Sequence, residues 1–317
     1  MNSSPVQYLT RTPVLFLVFN RIDTTKQVFE KIRQTRPPRL YVAADGARFT
    51  AEGENEKVAT VRNYILSSID WDCDVRTLFR ETNLGCKKAV EEAITWFFEN
   101  EEMGIIIEDD CAPTPNFFRF CEWALNEYED NKNIGLVSGS NLVDYKFISP
   151  YRNGFSRYIN IWGWATWRDR WSRYNSHLSL TDLIELDGEI KRAGYLRRYE
   201  RIFWKNVFKH TITFQTTWDF YLQYQFFKEG FYSVFPSKNL ILNIGFGPEG
   251  THTTSTVPDY WKKSKPKVNC DIMMLPVLEF GVLDIERDRE MTATIWNCTP
   301  LRTLRLLIMN VVRYMNI

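Results

Sequence analysis

Gly104-Ile105-Ile106-Ile107-Glu108-Asp109-Asp110 is a short apolar run that stops on three consecutive carboxylates. β-Branched residues in a run of this length, bounded by polar ones, predict a strand buried on both faces. The same unit recurs upstream. Pro13-Val14-Leu15-Phe16-Leu17-Val18-Phe19 is closed by Asn20-Arg21, and Leu40-Tyr41-Val42-Ala43-Ala44 by Asp45-Gly46. Asp74 to Phe79 is followed by Glu81-Thr82-Asn83-Leu84-Gly85. Between these runs apolar residues recur at helical spacing. Val28, Phe29 and Ile32 form one set, with Asp23 or Thr24 as the cap; Val58, Val61, Ile65 and Ile69 form the next, and Val90, Ile94 and Phe97 the third. Downstream, Pro115 begins a helix with Phe117, Phe120, Cys121, Ala124 and Tyr128 on one stripe, ahead of a strand over Ile134 to Ser138. Alternating strands and helices with apolar strands predict an α/β fold. The sheet is expected to be Rossmann-like and mostly parallel, with helices on both faces and ligands gathered at the carboxyl ends of its strands.

The chain has 317 residues, enough at about 150 residues per domain for two domains or one large one. With 44% hydrophobic and 25% charged residues, it has neither a disordered nor a low-complexity composition. Forty basic and thirty-nine acidic residues leave a net charge of +1, so no whole-chain field attracts nucleic acid and none is expected as a partner. The six cysteines contain no C-x-x-C pair, which argues against structural zinc. The first residues lack the basic and apolar regions of a signal peptide, and no run approaches the roughly 20 apolar residues of a membrane span. The expectation is a reduced, cytoplasmic protein.

Glu108, Asp109 and Asp110 carry the strongest chemical signal. Three carboxylates at a buried strand end repel one another, and a hard cation such as Mn2+ or Mg2+ relieves this while keeping substrate phosphates among its ligands. The plain alternative is a solvated acidic turn. Asn83-Leu84-Gly85-Cys86-Lys87-Lys88 is the second signal, because lysines in a first helical turn oppose the helix dipole unless an anion sits there. Asn20, Arg21 and Asp45 lie at two further strand ends, where an arginine can pair with a nucleotide and an aspartate can accept a base N–H. Neither a G-x-G-x-x-G nor a Walker A loop is present.

Beyond residue 140 the rhythm is lost and aromatics accumulate. Trp162 and Trp164 flank Gly163 and offer flat faces to a sugar ring, whereas Trp167 and Trp171 are assigned to packing. Asp219, between Trp218 and Phe220, is the candidate general base, its surroundings expected to raise its pKa; a helix cap is the plain alternative. His252, in the loop Asn243 to His252, is the histidine best placed to be a ligand.

Five motifs in this order carry a family resemblance: NLGC at 83–86, IIIEDD at 105–110 with its downstream P-x-P-x-FF, IWGWATW at 161–167, TWDFYLQ at 217–223 and NIGFGPEGTHT at 243–253. Together they resemble a bacterial family of nucleotide-diphospho-sugar transferases, hemolytic-protein-like, similar to N-acetylglucosaminyltransferase I in its GT-A fold. The likeness spans roughly residues 12–255. It implies an inverting, metal-dependent glycosyltransferase, hexosyl or N-acetylhexosaminyl, using a nucleotide-sugar donor, a UDP-sugar first among them. The acceptor would be a glycan or lipid-linked glycan in bacterial surface polysaccharide synthesis. It further implies Asp110 as metal ligand, to which the loop histidine His252 is the candidate second ligand, and Glu108 and Asp109 facing donor sugar and ribose. Arg21 and Asp45 become nucleotide contacts, with Asn20, Asn83, Gly85 and Lys87 around them. Asp219 becomes the base, and Trp162, Trp164 and Trp218 the acceptor residues. Cys86-Lys87-Lys88 departs from the usual pattern.

The implied organisation is a nucleotide-sugar half over 12–140, an acceptor and catalytic half over 141–255, and an extension over 256–317. In the last segment Leu301, Leu304, Leu307, Ile308, Val311, Val312 and Met315 share one face of a helical wheel, with Arg302, Arg305 and Arg313 opposite. Such a helix either lies on an anionic membrane at its inner face or packs on the domain. Two other functions use similar parts. A sugar-nucleotide nucleotidyltransferase needs a Gly-rich loop after the first strand, where this chain has FNRIDTT; a non-catalytic glycan-binding protein needs the tryptophans alone.

Overall fold

The computed structural model describes residues 8–146, 153–193, 196–246, 257–266 and 283–315. Strands run over Val14–Val18 (β1), Arg39–Ala44 (β2), Asp74–Phe79 (β3), Met103–Glu108 (β4), Cys111–Pro113 (β5), Ile134–Ser138 (β6), Gly154–Ser156 (β7), Trp164–Trp167 (β8), Tyr232–Phe235 (β9) and Ile241–Asn243 (β10). Helices run over Ile22–Thr35 (α1), Glu54–Ser67 (α2), Cys86–Asn100 (α3), Pro115–Glu127 (α4), Arg168–Trp171 (α5), Leu180–Ala193 (α6), Arg198–Phe214 (α7), Asp219–Glu229 (α8), Asp259–Lys263 (α9), Ile285–Ile295 (α10) and Pro300–Met315 (α11). Among the described residues, eight strands share one sheet in the order β3-β2-β1-β4-β8-β6-β9-β7. β1 to β4 are mutually parallel, and β5 and β10 form a separate antiparallel pair. The fold is mixed α/β with a large, mostly parallel central sheet flanked by helices, as the alternation of apolar runs anticipates.

The period-2 alternation of side chains divides each central strand between two cores. Val14, Phe16 and Val18 of β1, with Ile105 and Ile107 of β4, pack with Phe29, Ile65, Phe117 and Phe120 from α1, α2 and α4. Leu15, Leu17 and Ile106 face Ile94 and Phe97 of α3 and Trp218 and Phe226 around α8. A third cluster binds α6, α7 and α8 to α10 through Phe203, Trp204, Phe208 and Met291.

Several expectations are corrected. β3 is an edge strand with Asp74, Arg76 and Thr77 exposed, so the sheet is not covered along its whole width. Neither Asp23 nor Thr24 caps α1, whose first helical residue is Ile22. The tryptophan segment contains a strand, β8, inserted antiparallel between β4 and β6. Its alternation sends Trp164 to the α3–α8 side and Ala165 and Trp167 to the α4 side. Trp164 is therefore 1% exposed, stacked on Trp218 at 5.9 Å between ring centroids, and offers no face to an acceptor. Trp218 is also buried, against Trp164 and Trp171. Both pack the core beneath the cavity described below.

Because Trp164 fills the centre of a packed aromatic column, Trp164→Ala is expected to destabilise the fold by about 3–5 kcal/mol, the usual cost of deleting a buried aromatic. Urea denaturation followed by tryptophan fluorescence measures it; a loss below about 1 kcal/mol would contradict a core role.

Candidate functional site

The strand order places β2 and β3 on one side of β1 and β4 on the other. This reversal is a topological switch point, where a crevice opens beyond the carboxyl ends of the two central strands. A cavity of about 590 Å3 lies there, within the usual range for small-molecule sites. Arg21, Asp45, Asn83, Gly85, Glu108, Asp109, Asp110, Trp162, Trp218 and Asp219 all line it.

One salt-bridged knot crosses the switch point. The Arg21 guanidinium, three residues past β1, pairs with Asp109 and, at 3.2 Å, with Asp110. The second oxygen of Asp109 accepts the Phe19 N–H at 3.3 Å. Asp109 is buried and held by these contacts, so it positions Arg21 and the end of β1 rather than presenting itself to a ribose. Burial still raises its pKa to about 6, against the pull of Arg21. Glu108 differs. Its side chain makes no hydrogen bond to another described residue, and burial, then the charges of Asp110 and Asp109, push its pKa up to about 8. Asp219 also raises it, which puts that carboxylate within electrostatic reach across the cavity. Three carboxylates against one arginine leave excess negative charge in a confined space.

Asp110 is flanked from the other side by β10. The Ile244 N–H donates to the Asp110 carbonyl at 2.7 Å, and the Cys111 thiol to its carboxylate at 3.2 Å. Gly245 packs so closely that a Cβ there would overlap the Asp110 carboxylate. This explains the glycine in the motif that begins at Asn243. Phe246 of that motif meets the edge of Trp162 at 6.2 Å. His252 and the rest of the motif from 247 lie outside the described residues. Among the described residues, no group of three His, Cys, Asp or Glu side chains is arranged to hold a metal by itself.

Asp45 has a structural task. Its carboxylate accepts the N–H groups of Gly46, Leu84 and Gly85 and the Asn83 amide, all at 2.9–3.1 Å. With its lone pairs so occupied it fastens the β3–α3 loop, and it does not reach for a base. Asn83 completes the clasp through the Gly46 carbonyl at 2.8 Å. Gly85, before α3, has a φ of 79°, the left-handed region that glycine enters without strain. Lys87 is also corrected. Its ammonium bonds to Glu91 and the Ser176 carbonyl and lies 4.5 Å from the Tyr221 ring centroid, facing an open groove of about 1100 Å3 outside the cavity.

The cationic side of the cavity is instead built from Arg48 and Arg80, which the sequence reading passed over. Each follows a strand end, as Arg21 does, so the same strand-end logic identifies them. Arg80 bonds to Glu92 at 2.8 Å. Arg48 pairs with the buried Glu54 and lies 5.6 Å from the Phe19 ring centroid. Glu54 also accepts the Asn20 amide at 2.8 Å, so Asn20 braces the loop from behind. His210, on α7, is a further lining residue.

Asp219 opens α8 and accepts the Thr217 hydroxyl and the Phe220 N–H, the latter at 2.9 Å. It stands between the main cavity and an annex of about 140 Å3 lined by Trp162, Trp204, Trp296, Phe220 and Gln223. The indole N–H of Trp204 is buried there with no hydrogen-bond partner among the described residues. Trp162 alone of the three proposed acceptor tryptophans borders both spaces.

No family model matches this chain, and no curated protein matches it. Among solved structures, the crystal structure of HddC from Yersinia pseudotuberculosis is similar over 50% of this chain and 77% of that one, at 10% identity and a TM-score of 0.28. That likeness is too slight to bear on the site.

The Arg48 hydrogen bonds, helped by the Asn20 amide, hold the Glu54 pKa at about 2, below the roughly 4.3 of a free glutamate. The folded state therefore binds the proton less readily, and Glu54 contributes stability that is present above about pH 4 and lost as the pH falls towards 2. Glu54→Gln is expected to flatten that part of the stability–pH curve, as read by thermal melting; an unchanged slope would dissociate Glu54 from acid sensitivity.

Proposed function

We propose that the protein is a metal-dependent glycosyltransferase that moves a sugar from a nucleotide-diphospho-sugar to an acceptor hydroxyl. The observation that carries this reading is the division of one switch-point cavity. Arg21, Arg48 and Arg80 follow three adjacent parallel strands, Glu108 ends the fourth and Asp110 follows it, and Asp219 faces them from α8.

A diphosphate suits the arginine side, because guanidinium groups make charge-assisted bonds to phosphate oxygens. The carboxylate side suits a hard divalent cation that arrives with that diphosphate, since such ions commonly use one or two protein carboxylates and take their other ligands from phosphate and water. Asp110 would hold it, and Mn2+ or Mg2+ would neutralise charge on the diphosphate as it leaves. The chain's own residues do the rest. Asp219 takes the proton from the acceptor hydroxyl as its oxygen bonds to the anomeric carbon and the bond from that carbon to the diphosphate breaks. Trp162, bordering both cavity and annex, stacks against the acceptor. An attack from the side opposite the diphosphate inverts the anomeric centre. The acceptor is a glycan or lipid-linked glycan, and a UDP-sugar is the first donor to test.

A nucleotidyltransferase would need a loop wrapping a triphosphate after β1. Only Phe19, Asn20 and Arg21 separate β1 from α1, too few for such a loop. That connection favours the transferase.

Calorimetric titration of UDP-, GDP- and CMP-sugars with and without Mn2+ tests the class. One donor is expected to bind in a metal-dependent way and to be hydrolysed slowly. Absence of binding by all of them, or release of pyrophosphate from a nucleoside triphosphate and a sugar phosphate, would overturn the proposal.

Asp110→Asn is expected to remove the Mn2+-dependent part of donor affinity while the remaining Arg21–Asp109 pair keeps the chain folded; donor affinity that still responds to Mn2+ as in the wild type would move the ion elsewhere. Asp219→Asn should lower turnover by roughly 10²-fold or more, the usual contribution of a general base, with donor affinity preserved. Near wild-type turnover would remove Asp219 from that role.

A further inference from the structure

We propose that α11 is a docking helix for anionic phospholipid bilayers, a role that does not depend on the reaction assigned above. α11 packs against α7, with Thr303 buried and Leu306 set against the core cluster that joins α6, α7, α8 and α10. The opposite stripe is bare. Leu301, Leu304 and Ile308, at positions i, i+3 and i+7, are 61%, 54% and 54% exposed. Arg302 and Arg305 are exposed beside them, and no acidic residue occurs between positions 300 and 317.

The two expectations for this helix, packing on the domain or facing a membrane, are thus divided between its two sides. The side at Thr303 and Leu306 holds the helix to the protein, whereas no described residue covers the aliphatic stripe at Leu301, Leu304 and Ile308. Other exposed apolar residues among those described are spread over separate elements, so a repeated stripe on one helix is a distinct feature.

Charge selects the occupant. A second copy docking through the same stripe would bring Arg302 and Arg305 towards their own counterparts, with no acidic residue in the segment to offset them. An anionic bilayer surface offers apolar depth for the leucines and isoleucine and negative headgroups for the arginines. Among the described residues no helix is long and apolar enough to cross a membrane, so α11 would lie along the interface. That orientation would hold a switch-point enzyme at a lipid surface.

Flotation of the full chain with vesicles tests this. At low salt it is expected to float with phosphatidylcholine vesicles containing phosphatidylglycerol and to stay behind with phosphatidylcholine alone. High salt, or the double substitution Arg302→Gln and Arg305→Gln, should reduce flotation severalfold, and Leu304→Glu with Ile308→Glu should abolish it. All four side chains are exposed, so thermal melting should be unchanged; if the glutamate variant melts lower, the arginine variant decides. The proposal is overturned if the wild type stays soluble at low salt, floats equally with neutral vesicles, or floats undiminished after the decisive substitutions. It is equally overturned if sedimentation reveals a dimer that the glutamate variant dissolves while vesicles capture nothing.

Discussion

The pairing of Arg21 with Asp109 and Asp110 ties together the ends of the two central strands. β1 and β4 lie side by side in the sheet, and their successors leave in opposite directions, which opens the crevice. Without a tie the carboxylates after β4 would face one another and water, and the turn after β1 would have nothing to hold it. Arg21 supplies the countercharge, Asp109 also fixes the Phe19 N–H, and the Asp45 clasp does the corresponding work one strand further out. These polar attachments are built at chain turns, where loop backbone lacks ladder partners and needs side-chain acceptors. The cavity wall is therefore made of hydrogen bonds laid on a hydrophobic sheet.

The tie leaves a surplus. One guanidinium offsets part of the charge of three neighbouring acids, and Glu108 relieves the rest by holding its proton more tightly, its pKa pushed up to about 8 by burial and by Asp110 and Asp109. Side-chain alternation explains why it is Glu108 that faces α8. Ile107 belongs to the core against α1 and α4, so the next residue turns to the opposite side of the sheet, towards Asp219. A period of two along one strand thus brings two acids of different origin to face one cavity.

The central strands were legible because parallel strands buried on both faces must be apolar throughout, and Val14–Val18, Leu40–Ala44 and Ile105–Ile107 are. The acids after β4 were legible for the complementary reason, since charge at the end of such a run needs a purpose. The tryptophan segment was not. A strand of four residues shows too few alternations to declare itself, and Trp164 looks equally suited to a sugar or to a core until its neighbours are known. Asp45 and Lys87 misled in another way. At a strand end and a helix start each looks free to reach a ligand, yet each finds partners nearer at hand, Asp45 in the N–H groups of the next loop and Lys87 in the acid one turn along its own helix. Arg48 and Arg80 were overlooked because each looks like an ordinary loop residue. What gives them meaning is that β2 and β3 stand beside β1, a fact of topology rather than of composition.

β8 has a mechanical consequence. It pairs with β4 on one edge and β6 on the other, so the chain before residue 140 and the chain after it share one continuous hydrogen-bonded sheet. Two lobes joined by a flexible strap can clamp a ligand by swinging together; two regions sewn through a common strand cannot. Any opening and closing of this crevice must come from its rim, while the floor that carries the charges stays rigid.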